Sequence, residues 1–304
     1  MFKYHIIALL LGTILEYVCG KIYYIWNPFD TIKKLIRYLD RALLGDEIIL
    51  LEPSRQKSLG MWLIILVLLP VFIGVAFFSM LFYEVAPVLG IIFEAFATYL
   101  CLEGNYIFFG AYGVMQDYYG NGVDAMAESA RMFTGQDIES TSEQEITEKV
   151  LTHVANETTD SCLSPLFIMF LFGPIGGFLY RTIDIIDGEI GYKNSRYQYF
   201  GYYAARLNRL VSYIPDLFNG KLTVFASKFT FGTFNSKNAK YIQLRDKCKA
   251  ISAYAGALDV SLKNGTVGDA DKNHNPQDIR RAIGLLKNTF IIYQVFFVIL
   301  LLFF

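Results

Sequence analysis

Two clusters of polar side chains flank an apolar run at residues 162–180. The upstream cluster holds an amide and two carboxylates within about one helical turn, at Asn156, Glu157 and Asp160. Oxygen ligands of this kind suit Mg²⁺, which usually keeps substrate phosphate oxygens in its coordination shell. The spacing therefore allows a metal site that includes Asp160. The alternative is a helix N-cap with solvated residues that lead into a membrane helix.

The downstream cluster follows the same apolar run. Asp184 and Asp187 are three residues apart, so a helix would place both carboxylates on one face. Gly188 and Gly191 would permit a turn between these acids and the basic residues beyond them. Four cations could hold phosphate or carboxylate groups: Arg181, Lys193, Arg196 and Arg206. The cluster could bind a metal–nucleotide and an anionic substrate, or it could be a juxtamembrane belt of tyrosines and basic residues.

The common short motifs of soluble enzymes do not occur in the sequence. It has no GxxxxGK[ST], G-x-S-x-G or H-E-x-x-H pattern and no dinucleotide-binding fingerprint. The four cysteines and three histidines are scattered, and no pair of cysteines has the spacing of a metal site. Basic charge is too dispersed to suggest nucleic acid as a partner. The two polar clusters are therefore the candidate site.

Membrane helices must position these clusters. The chain has 304 residues, of which 54% are hydrophobic and 18% are charged, whereas soluble domains carry about 25% charged residues. Residues 61–83 contain no charge and are long enough to cross a bilayer. Weaker apolar runs occupy residues 5–19, 86–102, 162–180 and 289–304. We predict an all-α polytopic membrane protein with about five membrane segments and helical juxtamembrane regions.

The polar segments differ in the sign of their charge. Residues 21–60 hold seven Lys/Arg against five Asp/Glu, residues 103–161 two against eleven, and residues 181–288 seventeen against nine. We interpret residues 1–304 as one integral-membrane domain with an acidic polar segment at 116–161 and a basic one at 181–288. The positive-inside rule would put 181–288 in the cytoplasm. Strict alternation through five spans would put 21–60 on the opposite side, so we expect at least one segment not to cross.

The segment at 162–180 is the best candidate for this exception, because Gly173-Pro174 interrupts it. Proline lacks an N–H and breaks a helix, and glycine permits the turn. Irregular backbone at membrane depth is tolerated only where protein or water covers it. We expect either a broken or re-entrant helix, which would leave both polar clusters on one face of the bilayer, or one kinked span.

Helices are also expected between the membrane runs. Ser142 and Glu145 form a capping-box pattern that predicts a helix over 142–155. Apolar periodicity predicts another helix over 202–214, and residues 263–279 are predicted to be a polar loop. Alternation typical of strands is scarce.

The two clusters, in this order and spacing, resemble the adenosylcobinamide-phosphate synthase family of cobalamin biosynthesis (CobD/CbiB type). The segments "ESARMFTGQD" at 128–137 and "AYAGALDVSLKNG" at 253–265 are also similar to blocks of that family. The most specific block is "GYKN" at 191–194 with the spacing around it. The residues that match the family pattern are Asn156, Asp160, Pro165, Gly173, Pro174, Gly176, Tyr180, Arg181, Asp187, Gly191, Tyr192, Lys193, Asn194, Arg196, Tyr197, Phe200, Gly201, Ala205, Arg206, Leu207, Ile214 and Pro215.

The resemblance implies a reaction and its participants. The family joins adenosylcobyric acid to aminopropanol or its phosphate through an amide on the f propionate, driven by ATP with Mg²⁺. The resemblance also implies a multi-pass protein of a prokaryotic cell membrane. Other corrinoid-pathway membrane proteins are further candidate partners. We assign Asp160, Asp184 and Asp187 to the metal–nucleotide, with Asp160 and Asp187 as metal ligands, and Glu157 as the base for the incoming ammonium. The residues assigned to phosphate or substrate are Asn156, Arg181, Lys193, Asn194, Arg196 and Arg206.

Several positions depart from the family pattern. Asn27 stands for a histidine, Gln136 for an arginine, and Asp184 for an asparagine. Asn208 and Arg209 stand where the family has two acids, and "CKAIS" replaces a block that precedes the AGAL segment. These charge changes leave open a non-catalytic or altered-substrate relative that binds a corrinoid or a membrane partner. A transporter would carry charged residues deep in several spans, and only Glu16 and Glu94 fit that description.

Overall fold

The computed structural model describes residues 2–20, 26–45, 52–139, 142–192, 194–246, 250–269 and 274–303. Over these residues the secondary structure is helical apart from one short antiparallel hairpin, which confirms the predicted all-α fold. The elements are α1 (Phe2–Cys19), α2 (Pro28–Leu43), α3 (Pro53–Val85), α4 (Pro87–Cys101), α5 (Gly104–Asn121), α6 (Val123–Thr134), α7 (Glu143–Thr158), a π-helix (Thr159–Leu163), α8 (Ser164–Ile190), α9 (Tyr202–Ala226), α10 (Ser236–Arg245), α11 (Ala250–Leu258), β1 (Ser261–Leu262), β2 (Val267–Gly268) and α12 (Pro276–Phe303).

Within the described part of the chain, five helical stretches are long and apolar enough to cross a membrane. Each overlaps one of the five predicted apolar runs, and the stretches are Phe2–Cys19, Pro53–Val85, Pro87–Asn121, Glu143–Ile190 and Pro276–Phe303. On α3, the side chains of Trp62, Leu69 and Phe77 are all more than half exposed. An apolar face of this kind is stable against lipid rather than water, so the predicted polytopic membrane protein is confirmed.

The helix boundaries follow local signals in the sequence. Asn27 caps α2, because its side-chain oxygen accepts a hydrogen bond from the Phe29 N–H at 2.9 Å. The helix predicted from the capping-box pattern begins directly after Ser142, and α9 covers the helix predicted at 202–214. The predicted loop at 263–279 is only partly correct. Strand β2 lies inside it, and Pro276 already begins α12 because proline fits the first turn of a helix.

The predicted interruption of the apolar run is present in α8. Gly173 has φ 65° and ψ −161°, which is outside the helical region and accessible to glycine at little cost. The residue that follows is Pro174, so the backbone bends where the sequence removes a helical N–H. The interruption of the helix is therefore confirmed, and whether the segment is a broken or re-entrant helix or one kinked span stays open.

The chain forms two compact units. Unit 1 comprises Met1–Leu102 and Pro165–Tyr213. In this unit α1 packs closely on α4, since a Cβ on Gly12 would lie 2.4 Å from the carbonyl oxygen of Ala95. Small residues allow such close approach between membrane helices.

Unit 2 comprises Glu103–Ser164 and Ile214–Phe304. Its centre contains a buried polar tie between helices. The Asn219 amide of α9 donates to the Ser164 hydroxyl at 2.9 Å, and its oxygen accepts from the Tyr293 hydroxyl of α12 at 2.7 Å. Asn219 and Ser164 are fully buried, and the pairing satisfies polar groups that would otherwise destabilise an apolar interior.

Candidate functional site

Asp187 is the best-defined acid of the downstream cluster. The Asn208 amide donates to its Oδ2 at 2.8 Å, and the Asn208 oxygen lies 3.2 Å from the Ser212 hydroxyl, which donates to it. The Tyr180 hydroxyl lies 3.2 Å from the same Ser212 oxygen. These bonds join the last turns of α8 to the first turns of α9. They hold one carboxylate in a fixed orientation in unit 1.

Asp184 has a different partner from Asp187, although both lie in α8 as predicted. The Arg181 guanidinium is 3.2 Å from Asp184 Oδ2, one helical turn further along. Arg181 is only 5% exposed, so the nearby carboxylate compensates a buried charge. The roles predicted for these two residues at a phosphate or metal stay predictions, and Asp184 has a cationic neighbour on its own helix.

The turn after the acids is built differently from the prediction. Gly188 lies inside α8, where an added Cβ would meet nothing within 4 Å, so its predicted role in the turn is wrong. Helix α8 ends at Ile190, and a Cβ on the next residue, Gly191, would lie 1.9 Å from Asp187 Oδ1 and 2.5 Å from the Asp187 carbonyl oxygen. Gly191 is therefore required because the Asp187 carboxylate lies against its backbone.

This contact predicts opposite effects for two glycines three residues apart. Gly191→Ala should lower the free energy of unfolding by about 1–3 kcal/mol, because the new methyl group overlaps the Asp187 backbone. Gly188→Ala should instead raise it by about 0.5–1 kcal/mol, the usual gain from replacing glycine in a helix. Thermal unfolding of the purified variants in detergent measures both. Equal midpoints for the two variants would contradict the close contact at Gly191.

The basic turn at 194–201 is anchored to α2. One guanidinium nitrogen of Arg196 lies 3.2 and 3.1 Å from the two carboxylate oxygens of Asp40, and the Tyr197 hydroxyl donates to the same carboxylate at 3.0 Å. The Asn194 side chain accepts from the Tyr197 N–H at 2.8 Å and so shapes the turn. Burial raises the pKa of Tyr197, and the Asp40 charge adds to this rise, while Arg196 opposes it. Arg196 therefore shares its charge with Asp40 in unit 1.

The other predicted cations differ in what is known of their positions. Arg206 on α9 is exposed, with its guanidinium 3.4 Å from the Tyr202 hydroxyl, so it is accessible to a solute. Lys193 lies outside the described residues.

Helix α2 supplies contacts that the sequence analysis missed. Besides Asp40, Arg37 donates two hydrogen bonds to Glu189 of α8, at 2.9 and 3.0 Å, in a fork-to-fork arrangement. A signal was present in the sequence, because Asp40 shares the buried stripe of α2 with Phe29, Ile32 and Ile36. An acid on an apolar helix face needs a partner, and here the partner is Arg196.

The upstream cluster lies in unit 2 and continues a helix rather than starting one. Asn156 and Glu157 are in α7, and Asp160 is in the π-helix that joins α7 to α8. The alternative of an N-cap at this point is therefore wrong. The Ser161 hydroxyl donates to Glu157 Oε2 at 2.5 Å, and the Ser161 carbonyl accepts from the Glu103 N–H at 3.0 Å. Single π-turns inside α-helices are frequent at functional sites.

The comparisons with known proteins cover a range of the chain that includes both polar clusters. The family model described as CobD/Cbib protein matches residues 9–286. The chain belongs to the CobD/Cbib family. One relative is a Clostridium perfringens protein named cobalamin biosynthesis protein CobD, 24% identical over 300 residues that cover 92% of this chain and 93% of the relative.

Two further relatives carry the same name. The one from Brucella melitensis is 26% identical over 270 residues, which cover 84% of this chain and 81% of the relative. The one from Leptospira interrogans is 33% identical over 168 residues, which cover 53% of this chain and 51% of the relative. No solved structure matches the chain.

One departure from the CobD/Cbib pattern acquires a physical meaning from the contacts. Asn208 stands where the family pattern has an acid, and its amide donates to Asp187. An ionised aspartate at position 208 could not donate this bond, and two facing carboxylates would repel each other unless a cation lay between them. Asn208 therefore supplies a hydrogen-bond donor to Asp187 at a position where the family pattern has a carboxylate.

The candidate ligands suit a metal ion that binds together with phosphates better than a metal ion held by protein side chains alone. Across the ranges that the structure describes, no group of three or more His, Cys, Asp or Glu residues could hold a metal ion. Mg²⁺ bound together with a nucleotide needs only one or two protein carboxylates, and phosphate and water supply its other ligands. Asp187 fits this smaller requirement within unit 1, and the joint use of Asp160 and Asp187 as metal ligands stays a prediction.

Proposed function

We propose that this CobD/Cbib-family chain acts in cobalamin biosynthesis as an ATP-dependent ligase in a prokaryotic cell membrane. Its substrates would be adenosylcobyric acid and aminopropanol or aminopropanol phosphate, and its product an amide on the f propionate. The observation that supports this most strongly is the oriented carboxylate of Asp187, held by Asn208 at the end of a broken membrane helix and followed by the GYKN block.

The first chemical step activates a poor electrophile. A propionate oxygen attacks the γ-phosphorus of ATP, an O–P bond forms, the bond to the bridging oxygen breaks, and ADP leaves. Positioning and charge stabilisation contribute most to such phosphoryl transfers. We assign Arg196, Arg206 and Lys193 to the transferring phosphoryl group and the substrate carboxylate, with Asn156, Arg181 and Asn194 as additional binding residues. Mg²⁺ bound with the nucleotide at Asp160 and Asp187, with Asp184 nearby in sequence, would neutralise phosphate charge.

The second step forms the amide. The incoming ammonium loses one proton to Glu157, the free amine attacks the acyl carbon, the C–N bond forms, and the C–O bond to phosphate breaks. A second proton leaves nitrogen and is carried away by inorganic phosphate. Glu157 suits the role of base because its carboxylate is oriented by the Ser161 hydroxyl and lies only half-buried.

Complementation tests the proposal in cells. A strain that lacks the synthase should regain growth on cobyric acid plus aminopropanol when it expresses this chain. Membrane fractions must contain the protein in comparable amounts in every strain. Absence of growth despite normal expression of the protein in the membrane would refute the proposed ligase activity.

A non-catalytic relative is the second candidate, and it is supported by Arg209, an exposed cation where the family pattern has an acid. This alternative predicts that the purified protein, immobilised on a column, binds a corrinoid but forms no amide. Arg209→Asp would then not restore activity, because Asn208 also stands where the family pattern has an acid.

A further inference from the structure

A second group of polar side chains lies inside the membrane helices of unit 1 and includes no residue of either cluster. His5 of α1 is hydrogen-bonded through Nδ1 to Oε1 of Glu94 on α4. The Tyr83 hydroxyl of α3 donates to the other oxygen of Glu94 at 2.5 Å. The side chain of Glu94 is 3% exposed. Burying a carboxylate at membrane depth is costly, so such residues usually serve a purpose.

The third contact of this group links it to the break in α8. His5 Nε2 lies 3.1 Å from the carbonyl oxygen of Phe170. In an uninterrupted helix that carbonyl would accept from the N–H of residue 174, four positions later. Residue 174 is a proline and has no N–H to donate. The histidine therefore donates to the carbonyl whose helical donor the sequence has removed.

The acceptors also fix where the protons lie. A carbonyl oxygen only accepts, so His5 Nε2 must carry a proton. The Nδ1 contact is then satisfied in two ways, by a protonated imidazole with an ionised Glu94 or by a neutral imidazole with a protonated Glu94. The group is neutral overall in both cases, which is the condition for stability in a medium without water.

We propose that His5, Glu94 and Tyr83 form an intramembrane clamp that holds α8 in its broken form by supplying the hydrogen bond that Pro174 cannot make. The clamp draws on three helices, α1, α3 and α4, and acts on a fourth. Gly173 lies beside it, since a Cβ there would be 3.8 Å from Glu94 Oε1. The half of α8 that follows the break carries Arg181, Asp184 and Asp187, so the clamp residues are positioning residues for the downstream cluster.

The first test measures whether the clamp acts on the break. His5→Phe and Glu94→Leu should each lower the thermal midpoint of the purified protein by several degrees. They should also speed amide hydrogen exchange in peptides that cover 168–178 more than in peptides from α12. Tyr4→Phe and Glu84→Leu are matched controls, because both residues are exposed neighbours of the clamp on the same helices. Equal exchange around the break in clamp and control variants would overturn the proposal.

The second test separates a hydrogen-bond relay from general loss of packing. In Glu94→Gln the amide can donate to His5 Nδ1 and its oxygen can still accept from Tyr83, so His5 keeps its bond to Phe170. Glu94→Gln should therefore retain a midpoint and exchange pattern close to those of the original chain, whereas Glu94→Leu should not. Equal damage in both variants would refute the relay.

The third test uses the proline itself. Replacing Gly173-Pro174 by Ala-Ala allows residue 174 to donate within a continuous helix. In that background His5→Phe should lower the thermal midpoint by less than half as much as it does in the original chain. Strictly additive shifts would show that His5 and Pro174 are not coupled. None of these measurements needs ATP or a corrinoid, so failure of the clamp and failure of the proposed ligase are distinguishable.

Discussion

Asp187→Asn is expected to abolish rescue of a synthase-deficient strain while leaving the protein folded. Asparagine can still accept the bond from the Asn208 amide, so packing between α8 and α9 is kept and only the charge is lost. In the proposed mechanism Asp187 is a ligand of the metal–nucleotide, so turnover should fall by at least about 100-fold, the effect typical of removing one group that stabilises transition-state charge.

The matched control is Asp30→Asn, which removes an exposed carboxylate from the first turn of α2 in the same unit. This variant should grow like the original. Thermal midpoints of both variants should lie within about 3 °C of the parent, the shift expected for a change of less than 1 kcal/mol. Full growth with Asp187→Asn at normal expression would remove Asp187 from the metal assignment.

Gly60→Ala is expected to be strongly destabilising in unit 1. A Cβ at this position of α3 would lie 1.9 Å from the carbonyl oxygen of Phe200 and 2.9 Å from its carbonyl carbon. Phe200 is fully buried, so its backbone cannot move away without displacing the turn that carries Arg196. We expect a loss of about 3 kcal/mol, at the upper end for overpacking.

Gly74→Ala on the same helix is the control, because an added Cβ there meets nothing within 4 Å. It should leave stability unchanged or raise it by about 0.5–1 kcal/mol. Unfolding followed by tryptophan fluorescence compares the two variants directly. A Gly60→Ala protein as stable as Gly74→Ala would show that α3 and the turn at 194–201 are not in contact.

Features that depend on neighbouring residues in the sequence could be predicted. The uncharged run at 61–83 lies within α3, Ser142 precedes α7, and Gly173-Pro174 interrupts α8. Each follows from a local signal: the length of an apolar run, a serine at a position where helices commonly begin, or a missing N–H. The family resemblance likewise depended on short blocks of neighbouring residues, and the match over residues 9–286 confirms it.

Features that depend on tertiary contact could not be predicted. Asp40 meets Arg196 across 156 residues of sequence, and His5 meets Phe170 across 165. The need for glycine at 191 arises from the Asp187 carboxylate against its backbone, which no turn rule includes. The π-helix around Asp160 changes the phase of the helix by an extra residue per turn without any breaking residue in the sequence.

The most direct test of the proposed ligase activity is a reaction with purified protein in detergent. Adenosylcobyric acid, aminopropanol phosphate and Mg·ATP should give one amide product with one ADP and one inorganic phosphate per amide, and no ADP should accumulate beyond this ratio. Folded protein that forms no amide, or that releases AMP and pyrophosphate instead, would contradict the acyl-phosphate mechanism proposed for this chain.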